Sequence, residues 1–389
     1  MSDVVTTATA DIPARLQVGG EWLRVLRSWP GSDGARILEC RDEAGRLRAA
    51  RLMPGAASEP DGIGDRGAAS GSCDGLGQVA DARLEVLPFS RDPKLRSLAP
   101  GGELLVHRAG KRAVVRTADG FVKHLRRGRA EGGARATETL GGLAVRAGFT
   151  APRVVAADQH SVTLTTVPGM PLLSLDPAEW ERAWAQWEDL WPRLVLAPVP
   201  ATAEPIGLHD AHDEAEVVRT WCAHVRAFDA GGLGTRWASQ LAVIEEHTVG
   251  LLREVAAQTS AGAARTASAG RPPVIAHRDL HDGQMLFDPV AGQLGILDFD
   301  TAVRADRELD LGNLDVHLDL RVAQGLLDPD RARVAHAAIR RTADAVDADA
   351  RRLEVYRRAA RARLVGVYAF RPQWARLAAR MAEELADVR

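Results

Sequence analysis

Between Val274 and Asp300 the chain reads VIAHRDLHDGQMLFDPVAGQLGILDFD, and this stretch constrains the fold more than any other. Two short apolar runs, Val274 to Ala276 and Leu294 to Leu297, read as buried strands, each followed at once by clustered histidines or carboxylates. Asp279 follows the first run, Gln284 comes five residues later, and Asp298 closes the second, so one short hairpin would gather all three around a point. Phosphoryl transfer needs such a set. A carboxylate orients and deprotonates the attacking hydroxyl, and hard oxygen ligands hold metal ions that neutralise phosphate charge. Asp279 suits the first task; Gln284 and Asp298 suit the second, and Asp300 either orients Asp298 or binds a second metal.

The order His277-Arg278-Asp279-Leu280-His281, Gln284, Leu297-Asp298-Phe299-Asp300 resembles the catalytic and metal-binding segments of protein kinases, and more closely those of the aminoglycoside phosphotransferase family of small-molecule kinases. The resemblance covers about residues 88–389. It implies an α+β, bilobal, protein-kinase-like fold with a β-rich N-lobe and a mostly helical C-lobe. It also implies Asp279 as catalytic base, Asp298 as principal Mg²⁺ ligand, and ATP as donor with GTP as an alternative. The acceptor would be a hydroxyl of a sugar, aminosugar or aminoglycoside. One position departs: the usual metal-binding Asn is Gln284, as in the maltokinases of the same superfamily, so the metal geometry must accommodate one more methylene. Asn313 is the only Asn in the chain.

A chain of 389 residues, 46% hydrophobic and 26% charged, can bury several cores without staples. A formal net charge of −2 provides no basic field for nucleic acid or anionic lipid, which favours a small-molecule partner. Cys40, Cys73 and Cys222 lie in no metal-ligand pattern and are odd in number, so reduced thiols are expected. The start MSDVVTTATADIPA lacks a basic, apolar leader, and no later run approaches a membrane span; a cytoplasmic protein is the expectation.

Ahead of the kinase-like region, Trp22 to Trp29, Ala35 to Cys40 and Arg46 to Met53 read as strands, with Glu43-Ala44-Gly45 as a turn. Residues 1–87 are therefore expected to form a β-rich extension with a flexible Gly/Ala/Ser/Asp linker over about 55–78. Residues 88–168 form the expected nucleotide lobe, beginning with the strand and turn series LLVHR, AGK, RAVVRT, ADG, FVKHL. Lysine occurs only at Lys94, Lys111 and Lys123, where a compact ammonium replaces the prevailing guanidinium. Lys123 on the third strand is expected to face the ATP phosphates and pair with Glu138 on the following helix, with Glu131 the weaker partner. Lys111, in a turn that is no GxGxxG loop, would lie over the phosphates or in solvent. By resemblance, Thr166 and Val167 are the hinge that binds adenine through main-chain groups.

Residues 169–389 read as the helical substrate lobe. After the cap Asp176-Pro177, Trp180, Trp184, Trp187 and Trp191 recur at helical spacing and are expected to pack as core. Helices are also expected over Ala211 to Phe228, Trp237 to Ala257, Leu314 to Leu326, Arg331 to Val346, Ala350 to Phe370 and Trp374 to Val388. Asp282, Asp310, Asp315 and Asp319 are the candidate holders of a cationic or polyhydroxylated substrate, although Asp282 and Asp310 could equally support the catalytic loop. Two rival readings remain: a catalytically silent nucleotide binder of this fold, and a metal-dependent phosphohydrolase using His277, Asp279, His281, Asp282 and Asp298. Oligomeric state leaves no mark in the sequence.

Overall fold

A computed structural model describes residues 13–18, 20–53, 76–79, 82–198, 206–230, 234–265 and 271–387. Strands β1 (Arg15–Val18), β2 (Glu21–Pro30), β3 (Arg36–Arg41), β4 (Leu47–Met53), β5 (Leu76–Val79) and β6 (Ala82–Val86) make one antiparallel sheet in the order β1-β2-β3-β4-β6-β5. Alternate residues such as Leu23, Val25, Leu38 and Leu84 fill its core, as the period of two requires. Most of the expected linker lies outside the described residues, but its end does not: Leu76–Val79 is an edge strand paired with β6.

A second sheet holds β7 (Glu103–Arg108), β8 (Arg112–Thr117) and β9 (Gly120–Leu125), then, after helix α1 (Ala130–Ala147), β10 (Val154–Ala157) and β11 (Ser161–Leu164), in the order β10-β11-β9-β8-β7. Ile37 and Ala49 of the first sheet, with Leu87 just past β6, pack with Ala109 at the end of β7 in the second, which is why β3 is buried on both faces. The His107 N–H donates to Glu39 Oε2 at 2.9 Å across this junction.

Chain order then runs β12 (Met170–Pro171), α2 (Pro177–Val195), α3 (Ala211–Phe228), α4 (Gly234–Arg265), β13 (Val274–Ala276), β14 (Met285–Asp288), β15 (Gln293–Ile296), β16 (Val303–Ala305), α5 (Glu308–Ala323), α6 (Pro329–Ala345), α7 (Ala350–Ala369) and α8 (Ala375–Asp387). This is the bilobal α+β arrangement expected. Two helices differ in extent: α4 continues eight residues past Ala257, and α5 begins at Glu308, so Asp310 belongs to its first turn. Helix α2 starts on a reciprocal Asp176–Glu179 capping box, and its four tryptophans are at most 2% exposed, in edge-on and stacked contact with one another. They are core, as their spacing predicts.

Two junctions place the lobes. Thr150, after α1, pairs with Gly295 of β15, where any Cβ would lie 2.5 Å from Val167 Cγ1; glycine is what lets the Val167 segment approach β15. The first sheet also reaches the C-lobe. Ser28 donates from N–H (3.0 Å) and Oγ (2.6 Å) to the Phe370 carbonyl after α7, and Arg36 donates to the Phe228 carbonyl at the end of α3. Among the described residues no helix is long and apolar enough to cross a membrane.

Candidate active site

The hairpin β14–β15 begins at Gln284 and ends at Asp298. Met285 pairs with Ile296, and the Leu297 N–H donates to the Gln284 carbonyl at 2.9 Å, so the two presumptive ligands sit at the open ends of adjacent strands. Asp279 arrives separately, on the loop after β13, and β13 pairs with β16 rather than with the hairpin. Three elements therefore meet where the sequence predicts one hairpin.

Asp310 grips the loop bearing Asp279. Its carboxylate accepts from the His277 N–H at 2.6 Å and the Arg278 N–H at 2.8 Å, and it is buried. Arg278 takes a left-handed conformation (φ 69°), costly for a residue with a Cβ, which those two bonds stabilise. Burial pushes the Asp310 carboxyl up to about 6, although His277 and the two amides pull the other way. The His277 ring reaches the Leu297 carbonyl at 2.6 Å; a carbonyl only accepts, so Nε2 carries the proton. These bonds tie the loop to the hairpin and leave Asp279 projecting outward, 44% exposed.

Lys123, on β9, reaches across the lobes to Asp298 Oδ1 at 2.6 Å and Asp300 Oδ1 at 2.9 Å. Burial alone would depress its ammonium, but the two carboxylates outweigh it and hold the pKa above the ordinary lysine value. Asp298 is likewise held low by Lys123 against the effect of burial. The expected pairing with Glu138 is corrected here: Glu138 lies on the exposed side of α1, because Asp298 and Asp300 are the carboxylates that the Lys123 side chain reaches. Gln284, Asp298 and Asp300 present only oxygen donors, the chemistry that fits Mg²⁺. That their nearest carboxylates already hold a cation, the Lys123 ammonium, shows an environment that stabilises positive charge.

At the β7–β8 turn Lys111 is exposed, and the Lys94 side chain lies against Gly110. Partial burial and the nearby Arg126, Arg108 and Lys94 lower the Lys111 pKa. The turn is thus a basic rim to which two of the three lysines contribute. Of the two residues expected to form a hinge, Thr166 is exposed and Val167 is buried against Gly295.

Asp279 opens into a cavity of about 440 Å³ between α3, α5 and α7. Arg278, Thr301, Asn313, Tyr356 and Arg363 line it, and α3 adds three carboxylates: Asp213, Glu214, which is buried against His209 Nε2 at 2.8 Å, and Glu216, which pairs with Arg219. These three were not singled out in the sequence; their signal was a DEAE run, which also reads as an ordinary acidic first turn. Of the candidate substrate carboxylates, none lines this cavity, and each has a basic or amide partner instead. Asp282 is buried against Arg321 Nε at 3.0 Å. Asp310 holds the loop. Asp315 accepts from His336 Nδ1 at 2.5 Å and pairs with Arg357 at 3.0 Å; Asp319 meets His336 Nε2 at 3.2 Å and Arg361 at 2.9 Å. Those two carboxylates raise His336 to about 9.

The phosphohydrolase reading loses its ligand set in the same way. His277 is bonded to Leu297 and Asp282 to Arg321. His281, Asp282 and His317 do gather within 4.8 Å, but Arg321, Arg363 and Arg371 all bear on the buried His317, and three guanidinium groups oppose a dication.

The model of the phosphotransferase enzyme family (APH) matches residues 104–339, more than half of the chain. No curated protein sequence matches it. Similar solved structures include aminoglycoside phosphotransferase APH(3'')-Id from Streptomyces rimosus, at 20% identity over 66% of this chain and 90% of that one, with a TM-score of 0.46. The GDP and kanamycin complex of APH(2")-IIia is 13% identical over 75% and 95%, with a TM-score of 0.48. A glucosamine kinase in complex with glucosamine, ADP and inorganic phosphate is 16% identical over 95% and 93%, with a TM-score of 0.44. The family match runs from β7 through Lys123, Asp279 and the β14–β15 hairpin together, and the chain belongs to the phosphotransferase enzyme family.

Proposed function

We propose that the protein is an ATP- and Mg²⁺-dependent kinase of a small, amine-bearing polyol of the aminosugar or aminoglycoside class. The observation that carries this reading is the cavity: Asp279 lies on one side and Asp213, Glu214 and Glu216 on another, in a volume of about 440 Å³. That size is ordinary for small-molecule sites. An ammonium on the α3 wall would place a hydroxyl of the same molecule toward Asp279.

Lys123 and the basic rim of Lys111 receive the phosphates of the donor, and the main chain at Thr166 and Val167 receives its base; GTP can serve where the hinge admits guanine. Gln284, Asp298 and Asp300 are the residues that would hold Mg²⁺, which when bound supplies positive charge beside the phosphate oxygens. Asp279 orients the acceptor hydroxyl. The hydroxyl oxygen then bonds to the γ-phosphorus in line, its proton passes to an Asp279 carboxylate oxygen, and the bond from γ-phosphorus to the β,γ-bridging oxygen breaks, so that ADP leaves with the electron pair. Lys123 offsets charge on the leaving phosphates. Asp310 and His277 work only through the loop, keeping Asp279 where the hydroxyl arrives.

The test is nucleoside diphosphate release from Mg·ATP and Mg·GTP across glucose, maltose, glucosamine, kanamycin and streptomycin, with Asp279→Asn in parallel. Amine-bearing acceptors should raise release and Asp279→Asn should lower it by about 10² to 10⁴. Release that is indifferent to acceptor, or unchanged in Asp279→Asn, would refute the proposal.

A further inference from the structure

Asn313, the only asparagine of the chain, is buried on α5 with both ends of its amide bonded. Its Nδ2 donates to the Leu280 carbonyl at 2.8 Å, and its Oδ1 accepts from Arg363 Nη2. The orientation follows from chemistry: a carbonyl only accepts and a guanidinium only donates, so the amide has one consistent orientation. Arg363 in turn brings Nη1 to 3.7 Å from Asp279 Oδ1, with 19% of its side chain exposed. Leu280 directly follows Asp279. One amide therefore touches both the backbone after the presumptive base and the cation facing its carboxylate.

Asp310 and Asn313 are three residues apart on α5 and so share a face, which meets the catalytic loop from both sides of Asp279: Asp310 takes the amides of 277 and 278, Asn313 the carbonyl of 280. Arg363 comes from α7, and α7 can lie this close because residue 312 is Gly, where a Cβ would sit 3.0 Å from the Arg357 nitrogen. Charge explains why a cation is needed there. Asp213, Glu214 and Glu216 share the cavity with Asp279, and Arg278 and Arg363 are the cations among its lining residues. Without Arg363, Arg278 would be the one cation left among the lining residues.

We infer that Asn313 and Arg363 form a positioning relay for Asp279, Asn313 fixing the guanidinium and the guanidinium fixing the carboxylate. The role rests on the reading of Asp279 as base. A planar, two-armed guanidinium suits it, because one arm is anchored while the other faces the carboxylate; a lysine offers charge without that geometry.

The experiment measures ADP released from Mg·ATP, with glucosamine as acceptor and with water alone, for wild type, Arg363→Ala, Arg363→Lys, Asn313→Ala, the Arg363→Ala/Asn313→Ala double variant and Asp279→Asn, each with its melting temperature. Arg363→Ala should lower kcat by about 10²-fold, the scale of a misplaced reacting group, with the KM for Mg·ATP within about twofold of wild type. Asn313→Ala should lower kcat by about 10-fold, and the double variant should lie within about threefold of Arg363→Ala alone, because a residue acting through another adds nothing once that other is gone. Guanidinium ion added to Arg363→Ala should restore part of the rate, and Arg363→Lys should fall between. The guanidinium measurement stands even if Asn313→Ala does not fold. A kcat for Arg363→Ala within about threefold of wild type, or multiplying effects in the double variant, overturns the relay. Asp279→Asn separates the two layers: full turnover in that variant removes the base itself, whereas loss there with normal Arg363→Ala removes only the relay.

Discussion

Replacing Asp310 by Asn should separate the stability of this protein from its activity, with a sign that depends on pH. Burial raises the Asp310 carboxyl from 3.8 to about 6. At about 1.4 kcal/mol per pKa unit, the ionised group therefore costs the folded state about 3 kcal/mol at pH 7. Because the folded pKa lies above the unfolded one, the folded protein between 3.8 and about 6 holds a proton that the unfolded chain has shed. Stability from this group thus falls as pH rises through that window, and is fully regained below it. Asn cannot titrate. The difference in unfolding free energy, wild type minus Asp310→Asn, should rise by about 2.4 kcal/mol in favour of wild type as pH is lowered from 7 to 4, measured by urea denaturation at matched pH. Activity should respond differently. An amide offers one acceptor oxygen where the carboxylate offers two, so either the His277 or the Arg278 N–H would face an NH₂ group, and the left-handed Arg278 would lose support worth about 1–3 kcal/mol. Displacing Asp279 by even a fraction of the loop's freedom should lower kcat at least about 10²-fold at pH 7, where the variant is no less stable than wild type by more than about 1–3 kcal/mol. A free-energy difference that is flat from pH 4 to 7, or a variant with wild-type turnover, would refute the argument.

Three further outcomes are expected. Lys123→Met leaves Asp298 and Asp300 without their ammonium and should lower kcat/KM for Mg·ATP by about 10² to 10³, whereas Glu138→Ala should stay within about twofold, both read from steady-state kinetics. Asp213→Asn and Glu216→Gln should each raise the KM for an amine-bearing acceptor about five- to tenfold while leaving that for a neutral sugar unchanged, because each exposed pair contributes only about 1 kcal/mol. Trp184→Ala should cost about 3–5 kcal/mol in urea denaturation, and Trp184→Phe less, since the buried Trp184 Nε1 has no hydrogen-bond partner among the described residues whose loss would matter.

What could be read from the chain divides along a physical line. Placement that depends on local order is legible: Gln284 and Asp298 end up side by side because strand pairing fixes the open ends of a hairpin, whereas Asp279 comes on the separate loop after β13. The tryptophan stripe was legible because helical periodicity alone selects a buried face. Lys123 is legible as a residue of the third strand of its sheet, but the carboxylates it reaches are Asp298 and Asp300 rather than Glu138. A helix after a lysine-bearing strand gives a reasonable register for Glu138, but the competing carboxylates lie some 175 residues away in sequence, and only the closing of the lobes puts them nearer.

The acidic residues show the same limit more sharply. Asp315 and Asp319 share a helix face, as their four-residue spacing requires, but a face is defined only relative to its neighbour, and the neighbours here are His336 of α6 and Arg357 and Arg361 of α7. A run of carboxylates is thus ambiguous until the basic groups opposite it are known: on α5 it is a set of interhelical pairs, whereas on α3 similar residues border a cavity. Asp213 and Glu216 are exposed at a helix start, where carboxylates are favoured by the helix dipole whatever else they do. Their position opposite Asp279 depends on α3, α5 and α7 packing together, an arrangement reinforced where Ser28 and Arg36 of the first sheet bond to the carbonyls that end α7 and α3. The first sheet therefore bears on the shape of this cavity through the two helices whose ends it holds.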